Sequence, residues 1–178
     1  MNALATDPLT NPRPLIERVY GYVAYRIGDG PEAEDVTSEV FERALRYRNS
    51  YDPAKGRPLS WLLGIATRCI QQHAASVSPD EEVPDVADDF DLESDAIRRI
   101  SVMTMVSKLD DRDRELVALR YGADLTARQV GEILGMKTNA VQVALHRALE
   151  RIRLDVTRDG IEQRRQREHR LQTSSGVS

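Results

Sequence analysis

Leu125–Arg153, LTARQVGEILGMKTNAVQVALHRALERIR, carries two short amphipathic patterns around one tight turn. Thr126 followed by Gln129 forms a capping box, in which the threonine hydroxyl accepts from the backbone N–H three residues on and the amide side chain reaches back. Val130, Ile133 and Leu134 then share one helical face. Gly135 stands where a helix ends in the left-handed conformation, and Met136 can cover the turn. A second helix starts near Thr138, with Val141, Leu145, Ala148, Leu149 and Ile152 on its apolar side. By the 3.6-residue period its opposite side carries Asn139, Gln142, Val143, His146, Arg147 and Glu150. Two helices joined this way can present the N-terminal half of the second to a DNA major groove. Helical hairpins with no DNA role share the pattern, and Gln142-Val143-Ala144 brings no charge to the face.

Upstream of this segment, residues from Asp95 to Val106 place Ile97, Ile100, Val102 or Met103, and Val106 at helical spacing. KLDDRDRELVALRYGADL continues with Asp110 and Asp111 suited to an N-cap and Leu116, Val117, Leu119 and Tyr121 apolar. Nearer the N-terminus, a helix runs from Pro14 to about Arg26, with Leu15, Val19, Tyr22 or Val23, and Arg26 or Ile27 inward. Gly28-Asp29-Gly30 breaks it. Pro31 then opens a helix whose Glu32, Glu34 and Asp35 suit its positive end and whose Val36, Val40, Phe41, Ala44 and Leu45 form the stripe. Asn49–Pro58 reads as a loop, and Ser60 as the cap of a helix burying Trp61, Leu62, Ile65, Ala66 and Cys69 or Ile70. No strand alternation appears.

The net charge of −4 over 178 residues is unevenly spread, with 0 over 1–76, −7 over 77–104 and +3 over 105–178. The acidic stretch SVSPDEEVPDVADDFDLESD has two prolines and scattered apolar residues, too few to offset the entropy of ordering, and reads as a flexible linker. The fold class expected is therefore all-α: small helical domains at about 10–76 and 96–156, an acidic linker at 77–95, and a basic flexible tail at 157–178 that begins as a fraying helix end. Nine aromatic residues and 30% charge fit helices laced with ion pairs.

Several functions are disfavoured. A single cysteine, Cys69, rules out an internal disulfide and a multi-cysteine zinc site, and its apolar neighbours suit a buried thiol. His146 has no partner at ligand spacing, so no metal is expected. No Gly-rich phosphate loop or nucleophile–base motif is present, and neither catalytic residues nor a cofactor are expected. No run of about 18 apolar residues and no leader pattern appears, which predicts a cytoplasmic protein without membrane insertion.

Both halves resemble one family. LDDRDRELVALRYGADLTARQVGEILGMKTNAVQVALHRALERIR is similar to the C-terminal promoter-reading domain of the extracytoplasmic-function (ECF) sigma factors of bacterial RNA polymerase. GDGPEAEDVTSEVFERAL and RPLSWLLGIATRCIQQH resemble two helices of the same family's first domain. The matching segments come in the family's order with a linker between, and together span about 130 residues.

The resemblance implies a dissociable specificity subunit that binds core RNA polymerase and directs initiation from promoter DNA. In such factors the first domain holds the polymerase clamp helices and captures the melted minus-ten strand. By this likeness Asp35, Glu39 and Arg43, at i, i+4 and i+8, face the polymerase; the alternative is a solvated charged stripe. Tyr51, Lys55, Arg57, Trp61 and Arg68 become the minus-ten candidates, with cations for phosphate and aromatic surface for an unpaired base, while core packing is the favoured role for Trp61. The duplex minus-thirty-five element falls to Arg128, Thr138, Asn139, Gln142, Val143, His146 and Arg147. Asn139 and Gln142 can pair bidentately with adenine, Val143 can meet a thymine methyl, and Arg128 and Arg147 can hold phosphate. Ser38, Lys137, Gln142 and Ala144 depart from the family's usual glutamine, serine, lysine and arginine. The sequence CIQQHAASVSPDEE after Arg68 lacks the family's usual basic residues. In the family the acidic linker occupies polymerase channels built for nucleic acid, and an anti-sigma factor is a common regulator. Competing readings are a stand-alone helix-turn-helix regulator using the C-terminal domain, and an interaction decoy with decayed promoter contacts.

Overall fold

A computed structural model describes the backbone of residues 7–76 and 102–174, with side chains as far as Arg158. The described residues hold helices and turns and no strand, as the period reading requires. Helix α1 spans Pro12–Ile27, α2 Pro31–Arg46 and α3 Pro58–Ser76, with a 3₁₀ turn at Arg48–Ser50 after α2. After residues 102–107 (α4), α5 spans Asp111–Val117 and widens into a π turn at Ala118–Gly122. Helices α6, Ala127–Leu134, and α7, Thr138–Ser174, complete the order.

Helices α1, α2 and α3 enclose an N-terminal core. Val19, Tyr22, Val23 and Ala24 of α1 meet Ala33, Val36, Val40 and Ala44 of α2 and Leu59, Leu62, Leu63, Ala66, Cys69 and Ile70 of α3. Burying a Val or Leu side chain of this kind contributes about 1.5–3 kcal/mol, so the shared face specifies how the helices pack. The inward stripe of α2 begins one turn earlier than the sequence suggests. Ala33 and Thr37 are buried, whereas Leu45, expected inside, is 58% exposed. Helix α3 also starts earlier. Pro58 occupies its first turn, where a missing N–H costs nothing, so Ser60 lies inside the helix and cannot be its cap. Burial pushes the Cys69 thiol above its ordinary range, as expected of a packed thiol.

In the C-terminal half Val106, Leu109, Leu116, Val117, Ala118, Leu119, Ala123, Leu125, Val130, Val141, Leu145 and Ala148 are buried. The Asp110 carboxylate caps α5 by accepting from the Asp113 N–H at 2.9 Å. Tyr121, read as one of the apolar residues of this segment, is exposed because the π turn carries it to the rim, where the Arg120 guanidinium lies 5.3 Å from its ring centre. Ile133 and Leu149 also lie at the exposed edges of their stripes. The polar segment from Thr157, read as a fraying end and flexible tail, continues α7 to Ser174. The acidic linker at 77–95, together with Ile97 and Ile100, lies outside the described residues.

Arg151 of α7 ties this half together. Its guanidinium pairs with the Asp113 carboxylate, which is 10% exposed, and with Asp110 Oδ2 at 3.1 Å. Arg151→Met is expected to lower stability by about 1–3 kcal/mol, since it leaves Asp113 enclosed without a donor. Thermal unfolding followed by circular dichroism checks this, and an unchanged midpoint would show the pair to be incidental.

Candidate nucleic-acid and polymerase interfaces

The capping box forms as the sequence dictates. Thr126 Oγ1 accepts from Gln129 N at 3.3 Å, and Gln129 Oε1 accepts from Thr126 N at 2.9 Å. Gly135 takes the left-handed conformation, φ 66° and ψ 30°, and the Met136 N–H donates to the Gly131 carbonyl at 2.9 Å. That turn aims the start of α7 outward. Thr138, Asn139, Gln142, Val143, His146 and Arg147 are all exposed, Val143 by 50%, while Val141, Leu145 and Ala148 hold the helix to the core. The face thus offers two amides, a hydroxyl and an apolar patch for base edges, with Arg147 making no ion pair among the described residues. Arg128 differs. It is held by Glu132 at 3.0 Å, one helical turn on, so a phosphate must compete for it.

The candidates around the 50–60 loop come together in part. The Tyr51 and Trp61 rings lie 5.6 Å apart at 57°, and the Tyr51 hydroxyl donates to the Gly56 carbonyl at 3.0 Å. Asp52 Oδ1 accepts from the Ala54 N–H at 3.0 Å, and Lys55 stands 3.9 Å from the Asp52 carboxylate. Trp61 is half-buried against the core, so it serves the loop as an anchor. The Arg57 and Arg68 side chains are exposed, with no side-chain hydrogen bond or ion pair among the described residues.

On α2, Asp35 is exposed, whereas Glu39 and Arg43 pair with each other and the Arg43 guanidinium also donates to Gln72 Oε1 of α3 at 2.5 Å. His73 Nε2 adds a second tie, 3.5 Å from Glu32 Oε2. Gln72 and His73 were invisible to a motif reading, because nothing within one helix signals a partner on the next.

A further cluster, also unread in the sequence, joins the two halves. The Tyr22 hydroxyl donates to the Glu115 carboxylate at 2.9 Å and lies 3.1 Å from Thr67 Oγ1. Arg26 lies 3.2 Å from Glu115 Oε2 and 3.1 Å from Asp111 Oδ1. Arg18 donates to the carbonyls of Ala123, at 2.7 Å, and Asp124, at 2.8 Å. Burial raises the Glu115 carboxyl above its usual range, with the Arg26 charge and the Tyr22 hydroxyl pulling the other way; burial beside Glu115 pushes the Tyr22 hydroxyl up as well. Among the described residues no group of three or more metal-ligating side chains occurs, and no helix is long and apolar enough to cross a membrane.

Residues 13–78 match the family model for sigma-70 region 2, and residues 99–152 that for sigma-70 region 4. The chain is 30% identical over 146 residues to the ECF RNA polymerase sigma factor SigK of Mycobacterium ulcerans, covering 76% of this chain and 78% of that one. The chain belongs to the ECF sigma factors. A second relative, the ECF sigma factor BldN of Streptomyces coelicolor, is 30% identical over 145 residues, covering 75% of this sigma factor and 54% of BldN. The fold is similar to that of CnrH, solved in complex with the cytosolic domain of CnrY, at a TM-score of 0.58 and 18% identity over 88% of this sigma factor and 96% of the solved chain. This sigma factor binds core RNA polymerase and directs promoter-specific initiation through the minus-ten and minus-thirty-five elements. The stand-alone regulator is not favoured, because the N-terminal half matches region 2 as a unit.

Proposed function

We propose that the sigma factor reads the minus-thirty-five duplex with the α7 face, the amides of Asn139 and Gln142 reaching base edges and Val143 meeting a thymine methyl. The observation carrying this reading is the exposed stripe Asn139, Gln142, Val143, His146 and Arg147, turned outward by a formed capping box and a left-handed Gly135. Arg147 and Thr138 hold the backbone, and Arg128 joins them once Glu132 releases it. Tyr51, Lys55, Arg57 and Arg68 receive the melted minus-ten strand on the loop that Trp61 anchors. Asp35, with the Glu39–Arg43 pair, docks on the polymerase clamp. The working units are 10–76 and 96–156, joined through 77–95, and the protein acts in the cytoplasm without chemistry of its own. An anti-sigma partner is supported by CnrH, which was solved with the cytosolic domain of CnrY.

In vitro transcription with core polymerase tests the reading: transcripts are expected from a promoter that core alone ignores. Each bidentate amide contact contributes about 1–3 kcal/mol of base discrimination, so Asn139→Ala and Gln142→Ala should each lower promoter-specific initiation by about 5- to 150-fold and relax preference at one position. Arg147→Ala should weaken all sequences alike and reduce the salt slope by about one. Loss that is uniform across sequences for Asn139 and Gln142 as well would overturn their base-reading role. For the clamp, Asp35→Lys is a cleaner probe than Arg43→Glu, which also breaks the tie to Gln72; unchanged core affinity would remove Asp35 from the interface.

A further inference from the structure

Beside the seam where α1 meets the π turn runs a groove of about 400 Å³. Its α1 wall is built by the helical period, since Glu17, Tyr20, Gly21 and Ala24 stand at i, i+3, i+4 and i+7, on the face adjoining the one that carries Arg18, Tyr22 and Arg26. Gly21, Gly122 and the buried Ala24 keep the floor low, because none of them has a side chain long enough to fill the space. Three tyrosines rise around it. Tyr20 and Tyr25 are half-buried and Tyr121 is 44% exposed, so ring surface is open to a ligand. Tyr121 already holds one cation, the Arg120 guanidinium 5.3 Å from its ring centre.

The charge of the lining has one sign. Glu17 and Asp29 belong to it, and no lysine or arginine does. Glu17 is paired with Arg13 at 3.6 Å, but both side chains are well exposed, 68% and 89%, and a surface pair of this kind yields readily to a competing cation. Asp29 accepts from the Tyr20 hydroxyl, and a carboxylate has lone pairs to accept from further donors. The two acids stand apart. From Glu17 to the end of α1 at Ile27 the helix rises about 15 Å, and Asp29 lies two residues beyond. One metal ion cannot bridge carboxylates at that distance, since its oxygen ligands sit at about 2–2.6 Å. A ligand with cationic ends and a hydrocarbon middle can serve both, with its methylenes and inner ammonium groups against the tyrosine rings. At about 1.2 Å per bond of extended chain, a tetraamine such as spermine, with thirteen bonds between its end nitrogens, spans about 16 Å, whereas the diamine putrescine spans about 6 Å and reaches a single acid.

We propose that this groove binds a linear polyamine, whose terminal ammonium groups meet Glu17 and Asp29 and whose middle lies across Tyr20, Tyr25 and Tyr121. The ligand touches α1 from one half of the chain and the π turn from the other, so it reports on both. The site does not depend on the promoter assignment above.

Isothermal titration of the full-length chain with spermine, putrescine and magnesium chloride at one ionic strength tests the site. Spermine is expected to bind at one site about tenfold or more tighter than putrescine, and magnesium to compete weakly. The chain carrying both Glu17→Gln and Asp29→Asn, polar replacements of the same shape at exposed positions, should lose about tenfold or more in spermine affinity. Tyr121→Ala should lose about 3- to 10-fold, while Tyr121→Phe, which keeps the ring, should bind as the native chain does. Saturating spermine should also raise the thermal unfolding midpoint of the native chain and leave that of the double variant unmoved, because a ligand stabilises only the form that holds it. The acidic stretch 77–95 provides the competing explanation, as a polyanion attracts any polycation. Spermine affinity that is unchanged in the double variant would assign the ligand to that stretch and overturn the proposal. Equal affinity for spermine and putrescine, or displacement by magnesium at matched charge, would overturn it as well.

Discussion

Gly131→Val is expected to abolish minus-thirty-five recognition and to unfold the helix-turn-helix. Gly131 is buried in α6, and a Cβ there would lie 2.5 Å from the Met136 carbonyl oxygen and 3.6 Å from Val141 Cγ2. The first of these neighbours is backbone in the very turn that aims α7, so it cannot rotate out of the way as a side chain would. Even alanine must push the turn outward. Overpacking of this kind costs about 1–3 kcal/mol and more where backbone is the obstacle. The added branches of valine would strike the Val141 packing as well. The displaced turn also carries the Met136-to-Gly131 hydrogen bond. Duplex binding and thermal unfolding of the full chain read this out. A Gly131→Val protein that unfolds at the native temperature and still discriminates minus-thirty-five sequences would show that the turn is far more pliable than its contacts imply.

The second large effect belongs to the other half. Leu62 of α3 is fully buried where α1, α2 and α3 converge. Leu62→Ala removes that contact and leaves a cavity walled by helices that cannot all close on it, for an expected loss of about 2–5 kcal/mol. At about 2–4 °C per kcal/mol for a chain of this size, the unfolding midpoint should fall by roughly 5–20 °C. Core binding should be lost with heating well before the native protein fails, because Asp35, Glu39 and Arg43 depend on α2 resting against α3 through Gln72 and His73. A fall of less than about 1 °C would mean that the pocket collapses around the smaller side chain.

The two halves were legible in the sequence to different depths. Thr126, Gln129, Gly135 and Asp110 act through neighbours three or four residues away, so their roles follow from spacing and were found as expected. Helical period identifies the centre of an apolar stripe, hence Val40, Leu62, Leu116 and Val141, but not its edges. Leu45, Ile133 and Leu149 sit at those edges, where only the position of the next helix decides burial. The exposure of Tyr121 has another cause, since the period itself changes in the π turn. The length of α7 escaped notice because a polar run shows no apolar repeat. The exposure of Asn139, Gln142, Val143, His146 and Arg147 was legible, as exposure opposite a buried stripe is a local property. The seam was not, because Arg18 and Asp124 stand 106 residues apart and nothing in either segment names the other.

Helix α5 turns a short run of acids into a junction box. In seven residues plus its cap it sends Asp110 and Asp113 one way, to Arg151 of α7, and Asp111 and Glu115 the other way, to Arg26 of α1. The helix proposed to read DNA and the helix that meets the C-terminal half are therefore wired to one short rod through two arginines. A tug on α7 from a bound duplex would be delivered, one carboxylate later, to the face of α1 that carries Arg26.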